Sequence, residues 1–195
     1  FQPALMMYEY REDPSQVILA EYGIFFYTSS DYGKSWQEEP DWREAFGGYS
    51  AYDLLYSPND QNTIIAAVVN DRGADSESEY GLMITRDHGD NWKFVELPVI
   101  EKIETIDISS ADPNKIICLT ESGFYITRDY GSSWEHFPVG ENHIPMRFDV
   151  SNQNSNKWLY LYKSSEPTEK HLAISQDGGS SWTFYNDEIT KTNLR

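Results

Sequence analysis

Thirty-two aspartate and glutamate side chains supply most of the reactive groups in this chain of 195 residues. Paired carboxylates can serve as general acid and base, and clusters of them can hold a hard cation. Four of the aspartates stand in one repeated pattern: residues 29–36 read SSDYGKSW, 85–92 TRDHGDNW, 127–134 TRDYGSSW and 175–182 SQDGGSSW. Each is Ser/Thr-x-Asp-x-Gly-x-x-Trp, so the pattern is either one site written four times or one structural joint used four times. A site would need a base or metal partner beside Asp31, Asp87, Asp129 and Asp177, and no such partner recurs. A joint needs only what is present. The carboxylate can accept bonds from backbone N–H groups just ahead of it, and the hydroxyl of Ser29, Thr85, Thr127 or Ser175 can add another. Gly33, Gly89, Gly131 and Gly179 permit a positive φ, and Trp36, Trp92, Trp134 and Trp182 can bury a ring against a neighbouring sheet. The four motifs are read as turns and contribute no catalytic residue.

Other chemistries find less support. His88, His136, His143 and His171 are scattered, without the spacing of a metal site, and no Gly-x-Ser-x-Gly or Gly-rich phosphate loop occurs. The single Cys118 lies in the apolar run KIICLT, where a buried inert thiol is expected. The formal net charge of −17 opposes a phosphate backbone or an anionic membrane surface. No apolar run reaches the roughly 18 residues that would suggest a membrane-spanning helix.

The elements that carry the motifs repeat with them. The motif aspartates are 56, 42 and 48 residues apart, close to the ~40–50 residues of one four-stranded propeller blade. An apolar run ends at each Ser/Thr (GIFFYTS, GLMITR, GFYITR, HLAISQ), and two more precede it, bounded by turn segments such as SPNDQN and SADPNK. A short strand follows each Trp. Each unit therefore reads as strands A to D with the motif in the C–D hairpin, and no helix is expected. The chain is read as an all-β β-propeller domain or segment, 1–195, with blades near 4–40, 50–97, 103–138 and 146–186.

Ser/Thr-x-Asp-x-Gly-x-x-Trp at the C–D hairpin, repeated at blade spacing, resembles the Asp-box or BNR repeat of sialidase-, xyloglucanase- and sortilin-like propellers. The resemblance spans essentially the whole chain. It implies that the boxes lie on the face opposite the ligand, and it does not single out a function, since hydrolases, receptors and scaffolds share the motif. Such propellers generally have six or more blades, so four are expected to be part of a larger propeller; closure of four blades alone, or pairing of two copies, are the alternatives. The sialidase-like Arg-Ile-Pro signature is absent.

With the boxes on one face, the B–C and D–A connections of the other are the candidate ligand loops. The D–A segment 38–50 carries Trp42, Arg43 and Tyr49. The B–C segment 70–81 carries Asp71 and Arg72, the short B–C turn of the third blade carries Glu121, and the D–A segment PVGENHIPMR carries Glu141 and His143. Aromatics with nearby charges suit a sugar or a peptide, although Trp42 can equally cap the core. No cofactor is expected, with Ca²⁺ at the acidic loop 71–79 as the one candidate; that loop lacks the EF-hand order, and a solvated hairpin is the simpler account. The reading is a non-catalytic binding or scaffold propeller for a glycan or a protein or peptide, in a secreted, periplasmic or luminal setting. The alternative is a piece of a secreted glycoside hydrolase of the xyloglucanase kind, with catalytic carboxylates partly outside this chain.

Overall fold

A computed structural model describes residues 5–10, 12–21, 23–70, 78–165 and 169–185. The described residues form sixteen strands and one short helix, in four antiparallel four-stranded sheets in which consecutive strands are neighbours. The chain divides into two compact units, Phe1–Ile100 and Glu101–Arg195, each holding two sheets.

In the first unit, β1 (Leu5–Tyr10), β2 (Asp13–Glu21), β3 (Phe25–Ser29) and β4 (Gln37–Glu38) make one sheet. Helix α1 (Pro40–Phe46) follows, then β5 (Ser50–Ser57), β6 (Asp60–Asn70), β7 (Glu79–Thr85) and β8 (Trp92–Glu96). The two sheets and α1 bury a common cluster that includes Ile18, Ala20 and Phe26 from the first sheet, Trp42 and Phe46 from the helix, and Ile64, Ala66 and Val68 from β6. Alternate residues of a strand face one side, so Ile64, Ala66 and Val68 lie together.

The helix corrects the all-strand expectation. Pro40 opens it, where a missing N–H costs nothing, and Gly47 closes it in the left-handed conformation at φ 59°. It follows a strand D of only two residues: Gln37 and Glu38 pair with Thr28 and Tyr27, and the chain then turns into α1.

The second unit contains β9 (Thr105–Ile108), β10 (Ile116–Leu119), β11 (Gly123–Thr127) and β12 (Glu135–Pro138), then β13 (His143–Val150), β14 (Trp158–Ser164), β15 (Lys170–Ser175) and β16 (Thr183–Tyr185). Its core sets Ile117, Leu119, Phe124 and Ile126 of one sheet against Phe148, Val150, Trp158, Tyr160 and Tyr162 of the other. Cys118 is fully buried, as its apolar surroundings suggested.

Each sheet has an A-to-D meander with the Asp-box in its C–D hairpin, and the four together make a partial β-propeller. Register locates the incompleteness. Ile18, Ile65, Ile117 and Leu159 occupy the same place on strand B, each opposite the residue before the box Ser/Thr. The first three are fully buried, whereas Leu159 is 42% exposed, and Met7 on β1 is 68% exposed. The last sheet thus presents to solvent a face that its counterparts bury.

Candidate functional site

The four boxes share one hydrogen-bond geometry. The Ser/Thr hydroxyl donates to the Asp Oδ1 at 2.9, 2.7, 2.8 and 2.9 Å in chain order. The hydroxyl oxygen of Ser29, Thr85, Thr127 or Ser175 in turn accepts from the backbone N–H of Gly33, Gly89, Gly131 or Gly179 at 2.7–3.0 Å. The residue before the Trp closes the loop from the other side: Ser35, Asn91, Ser133 and Ser181 each donate a backbone N–H to Asp Oδ1 and a side-chain group to Oδ2. These donors favour the ionised carboxylate and lower the pKa of all four, with Asp31 and Asp129 at about 2. An acid so satisfied is a poor proton donor or base near neutral pH, and its oxygens are committed to the turn.

Two consecutive left-handed residues build each box, not the single glycine expected. Tyr32, His88, Tyr130 and Gly178 have φ between 56° and 74°, and the glycine after each is also positive. Three of the four thus hold a side chain in a conformation that normally favours glycine.

The loop residues nominated by the sequence fall into three groups. Trp42 belongs to the core: it is 3% exposed, 5.7 Å from the Phe26 ring and 5.3 Å from that of Trp92. It also covers a box, since a Cβ on Gly89 would lie 2.1 Å from Trp42 Nε1. Its core role displaces its expected ligand role, because a ring so enclosed has no face left for a ligand. Tyr49 is half-buried, with its ring 4.7 Å from that of Phe94. Arg43 is exposed, its guanidinium 4.7 Å above the ring of Phe25.

Glu121 and Glu141 are exposed. His143 begins strand β13 and is half-buried, its ring 3.8 Å from that of Tyr162. Burial, and then the nearby His171, lower its pKa. Asp71 and Arg72, with most of the acidic 71–79 loop, lie outside the described residues; among those described, no group of three or more His, Cys, Asp or Glu could hold a metal ion. The structure therefore gathers Trp42 and Tyr49 around the first unit's core and places His143 in the second, rather than joining the nominees into one site.

What it does form is a cavity of about 330 Å³ in the first unit, lined by Ser78, Glu79, Tyr80, Glu96, Leu97, Val99 and Ile100. These residues come from the start of β7 and from the end of β8 and the segment after it. Register brings the two stretches together, with Gly81 opposite Glu96. They belong to the B–C and D–A connections of one blade, on the side away from the boxes. Leu97 is buried while Ile100 is 74% exposed, so an apolar wall runs from the interior to the rim. Of this lining, only Glu79 lay among the acidic residues noted in the sequence; the signal missed was the apolar ELPVI run directly after a strand D.

A second polar feature lies on the innermost strands. Tyr8, Leu55, Asp107 and Asp149 stand opposite Ile18, Ile65, Ile117 and Leu159. In the second unit, Asp107 accepts the Ile108 N–H at 2.8 Å and the Val150 N–H, across the seam between β9 and β13, at 2.7 Å. Burial raises the Asp107 pKa to about 7 against those two bonds, and neighbouring Asp149 adds to the rise.

The family comparison matches residues 80–194 to the Sortilin-Vps10 family, described as sortilin, neurotensin receptor 3. No curated protein matches the sequence. Among solved structures, the chain is similar to an ancestral GH74 enzyme, with a TM-score of 0.67 at 12% identity over 92% of this chain and 25% of that one. It is similar also to YCF48 bound to D1 peptide, at 0.61 and 15% over 95% of this chain and 55% of that one. A third likeness is to the extracellular domain of a one component system from B. thetaiotaomicron, at 0.63 and 11% over 97% and 23%. At such identities these likenesses establish the propeller fold alone, and the chain spans between about a quarter and somewhat over half the length of these structures. Among the described residues no helix is long and apolar enough to cross a membrane. The family match extends over more than half of the residues, through the second, third and fourth boxes, and the chain belongs to the Sortilin-Vps10 family of Asp-box propellers.

Proposed function

We propose that this chain is a peptide- or protein-binding propeller segment working outside the cytoplasm, and that it binds through the face carrying its B–C and D–A connections. The carrying observation is the cavity on that face of the second blade, with its Leu97–Val99–Ile100 wall and two carboxylate side chains. Its volume lies at the low end of the ~300–1,000 Å³ of ligand pockets, a size suited to a side chain and its flanking backbone. The boxes lie at the other end of the strands with their carboxylates fully engaged, which leaves recognition to the connections. Membership of a family described by a neurotensin receptor supports a peptide ligand. The peptide held by the YCF48 relative points the same way, by analogy of fold.

The experiment is a parallel selection on the immobilised chain with a displayed random-peptide library and a panel of neutral oligosaccharides, xyloglucan fragments included. Enrichment of peptides whose binding falls on Ile100→Asp substitution is the expected result. Retention or cleavage of the oligosaccharides with no peptide enriched would overturn the reading in favour of a glycoside hydrolase segment.

A further inference from the structure

We infer that the chain binds a second copy of itself head to tail, the open face of the last sheet (β13–β16) of one copy seating on the open face of the first sheet (β1–β4) of the other.

Each unit already contains the packing this contact would repeat. In the first, the face of the β1–β4 sheet that carries Ile18, Ala20 and Phe26 packs on the face of the next sheet that carries Ile64, Ala66 and Val68. In the second, the face of the β9–β12 sheet that carries Ile117, Phe124 and Ile126 packs on Phe148, Trp158 and Tyr160 of the next. Ile18 and Ile117 both stand opposite the residue before the box Ser/Thr, so the two covering faces are equivalent. Every sheet therefore has a leading face, suited to the sheet after it, and a trailing face, suited to the sheet before it. The leading face of the last sheet and the trailing face of the first find no such partner within their own units.

Both faces are apolar and open. On the last sheet, Leu159 pairs with Ile174 in one row, and Leu161, Leu172 and Tyr185 form another. Leu159 and Tyr185 are 42% and 45% exposed. On the first sheet, Met7, Leu19 and Tyr27 form a row across the trailing face, and Met7 is 68% exposed. Trp36 marks what belongs against them. The later box tryptophans reach back onto what precedes their sheet: Trp92 lies 5.0 Å from the ring of Phe46 on α1, and Trp182 lies 5.4 Å from that of Phe124 on β11. Trp36, in the first box, is 38% exposed. Leu172 holds on β15 the place that Phe124 holds on β11, three residues before the box Ser/Thr. The last sheet thus carries the apolar side chain that an indole in the position of Trp36 requires.

Charge favours a second copy as the occupant. Arg147, Lys163 and Lys170 border the leading rows, with Asp149 beside them. Glu9, Glu21 and Glu38 border the trailing rows, with the Arg43 guanidinium over the Phe25 ring among them. Stacking head to tail sets a mainly basic border against a mainly acidic one, whereas joining like faces would oppose like charges. A partner of other sequence would satisfy one face, but a second copy matches both. The two faces differ, so the contact is heterologous. The net charge of −17 opposes approach at long range, and salt of about 0.15 M screens it beyond about 8 Å.

The test is sedimentation and light scattering of the whole chain from about 1 μM to about 1 mM in about 0.15 M salt. The weight-average mass is expected to rise with concentration above that of one chain. Met7→Asp and Leu159→Asp, at exposed positions on the two faces, are each expected to stay monomeric with unchanged circular dichroism. Mixed, they are expected to form a one-to-one dimer, because one variant keeps its last-sheet face and the other its first-sheet face. Glu38→Lys lowers the repulsion between copies, yet it is expected to weaken association about tenfold. Glu141→Lys, in the connection before β13, makes the same change of net charge and is expected not to weaken it. That pair of exposed charge variants decides the matter alone if either aspartate variant fails to fold.

A mass that stays at one chain up to about 1 mM would overturn the inference, since a specific interface is stronger than that. So would a mixture that remains monomeric, or either aspartate variant dimerising alone, which would assign the contact to like faces. Equal effects of Glu38→Lys and Glu141→Lys would reduce the attraction to bulk charge and overturn it too. The peptide selection above reads Ile100 on a different sheet, so either reading can fail without the other.

Discussion

The two units solve the same packing problem with tryptophans drawn from different parts of the chain. Each has a box glycine in a left-handed turn that needs cover. In the first unit Trp42 supplies it from helix α1, between two blades, with Nε1 2.1 Å from the Cβ position of Gly89. In the second, Trp158 supplies it from strand B of the same blade, with Cζ3 2.6 Å from the Cβ position of Gly179. These are the two tryptophans that lie outside the boxes. Trp158 also carries a cation on its ring: buried Lys115 stands 4.8 Å from the ring centroid and donates to the Ser155 carbonyl at 3.2 Å. Burial lowers the pKa of that lysine. In these two boxes an indole from outside the box covers the glycine, and the place from which it comes differs.

Replacing either indole is the strongest way to break that comparison. Trp42→Ala and Trp158→Ala should each lose about 3–5 kcal/mol by chemical denaturation, the usual cost of emptying an aromatic site in a core. An unchanged midpoint for Trp42→Ala would return that residue to the ligand loops.

The glycines sharpen it. Gly33, Gly89 and Gly179 all have positive φ, so alanine should cost about 1–2 kcal/mol at each. Gly89→Ala and Gly179→Ala should lose about 1–3 kcal/mol more, because the new methyl group overlaps an enclosed indole. Gly33 meets only the ring of Trp36 at 3.1 Å, and that ring is 38% exposed and can shift. Equal losses at the three glycines would show that backbone conformation, and not the indole, sets the requirement.

The inner seam separates the units in a second way. In the first, the Tyr8 hydroxyl donates to Asp53 at 3.0 Å, a neutral donor meeting a carboxylate. In the second, Asp107 bridges to Val150 N–H with another acid close by. The folded state raises the Asp107 pKa above its unfolded value, so it binds more protons than the unfolded chain between about pH 4 and 7. Stability from this group is present at the low end of that window and is lost as pH rises toward 7. Asp149→Asn removes the charge that adds to the rise, so the loss should shrink, read as a smaller change in urea midpoint between pH 4.5 and 7.5. Taking the difference between variant and parent cancels the opposite contribution of His143, whose lowered pKa makes stability fall as pH drops below about 6.5. Identical slopes would sever Asp149 from the titration.

The smallest effect concerns the residue before each box glycine. The fourth box has Gly178 there, where the first has Tyr32 at φ 63° with its side chain 68% exposed. Tyr32→Gly should raise stability by up to about 1 kcal/mol, since it relieves a left-handed tyrosine without emptying a core site. A loss of stability instead would mean that the Tyr32 ring contributes more than its backbone strain removes.

Legibility in the sequence followed the range of the interactions. The boxes were readable because their donors and acceptors lie within four residues of each Asp, as Ser29, Gly33 and Ser35 do around Asp31. Helix α1 carried its signals in Pro40 and Gly47, but seven residues are too few to develop a helical period. The cavity's one local signal was the apolar ELPVI run, which does not show that Ser78–Tyr80 and Glu96–Ile100 meet through the β7–β8 register. The orientation of Trp42 toward the core was likewise set by Phe26, Phe46 and Trp92, from three separate elements.

By itself, the sequence determined the blade repeat, the strand order within each blade and the end of the strands at which the boxes lie. These follow from turn chemistry and apolar alternation, which act over a few residues. Only the tertiary structure decided which aromatics fill the core, that two aspartates come together across the inner seam, and where a cavity opens. Those outcomes depend on side chains far apart in the chain, brought together by register and by packing between sheets, and no short stretch of sequence encodes them.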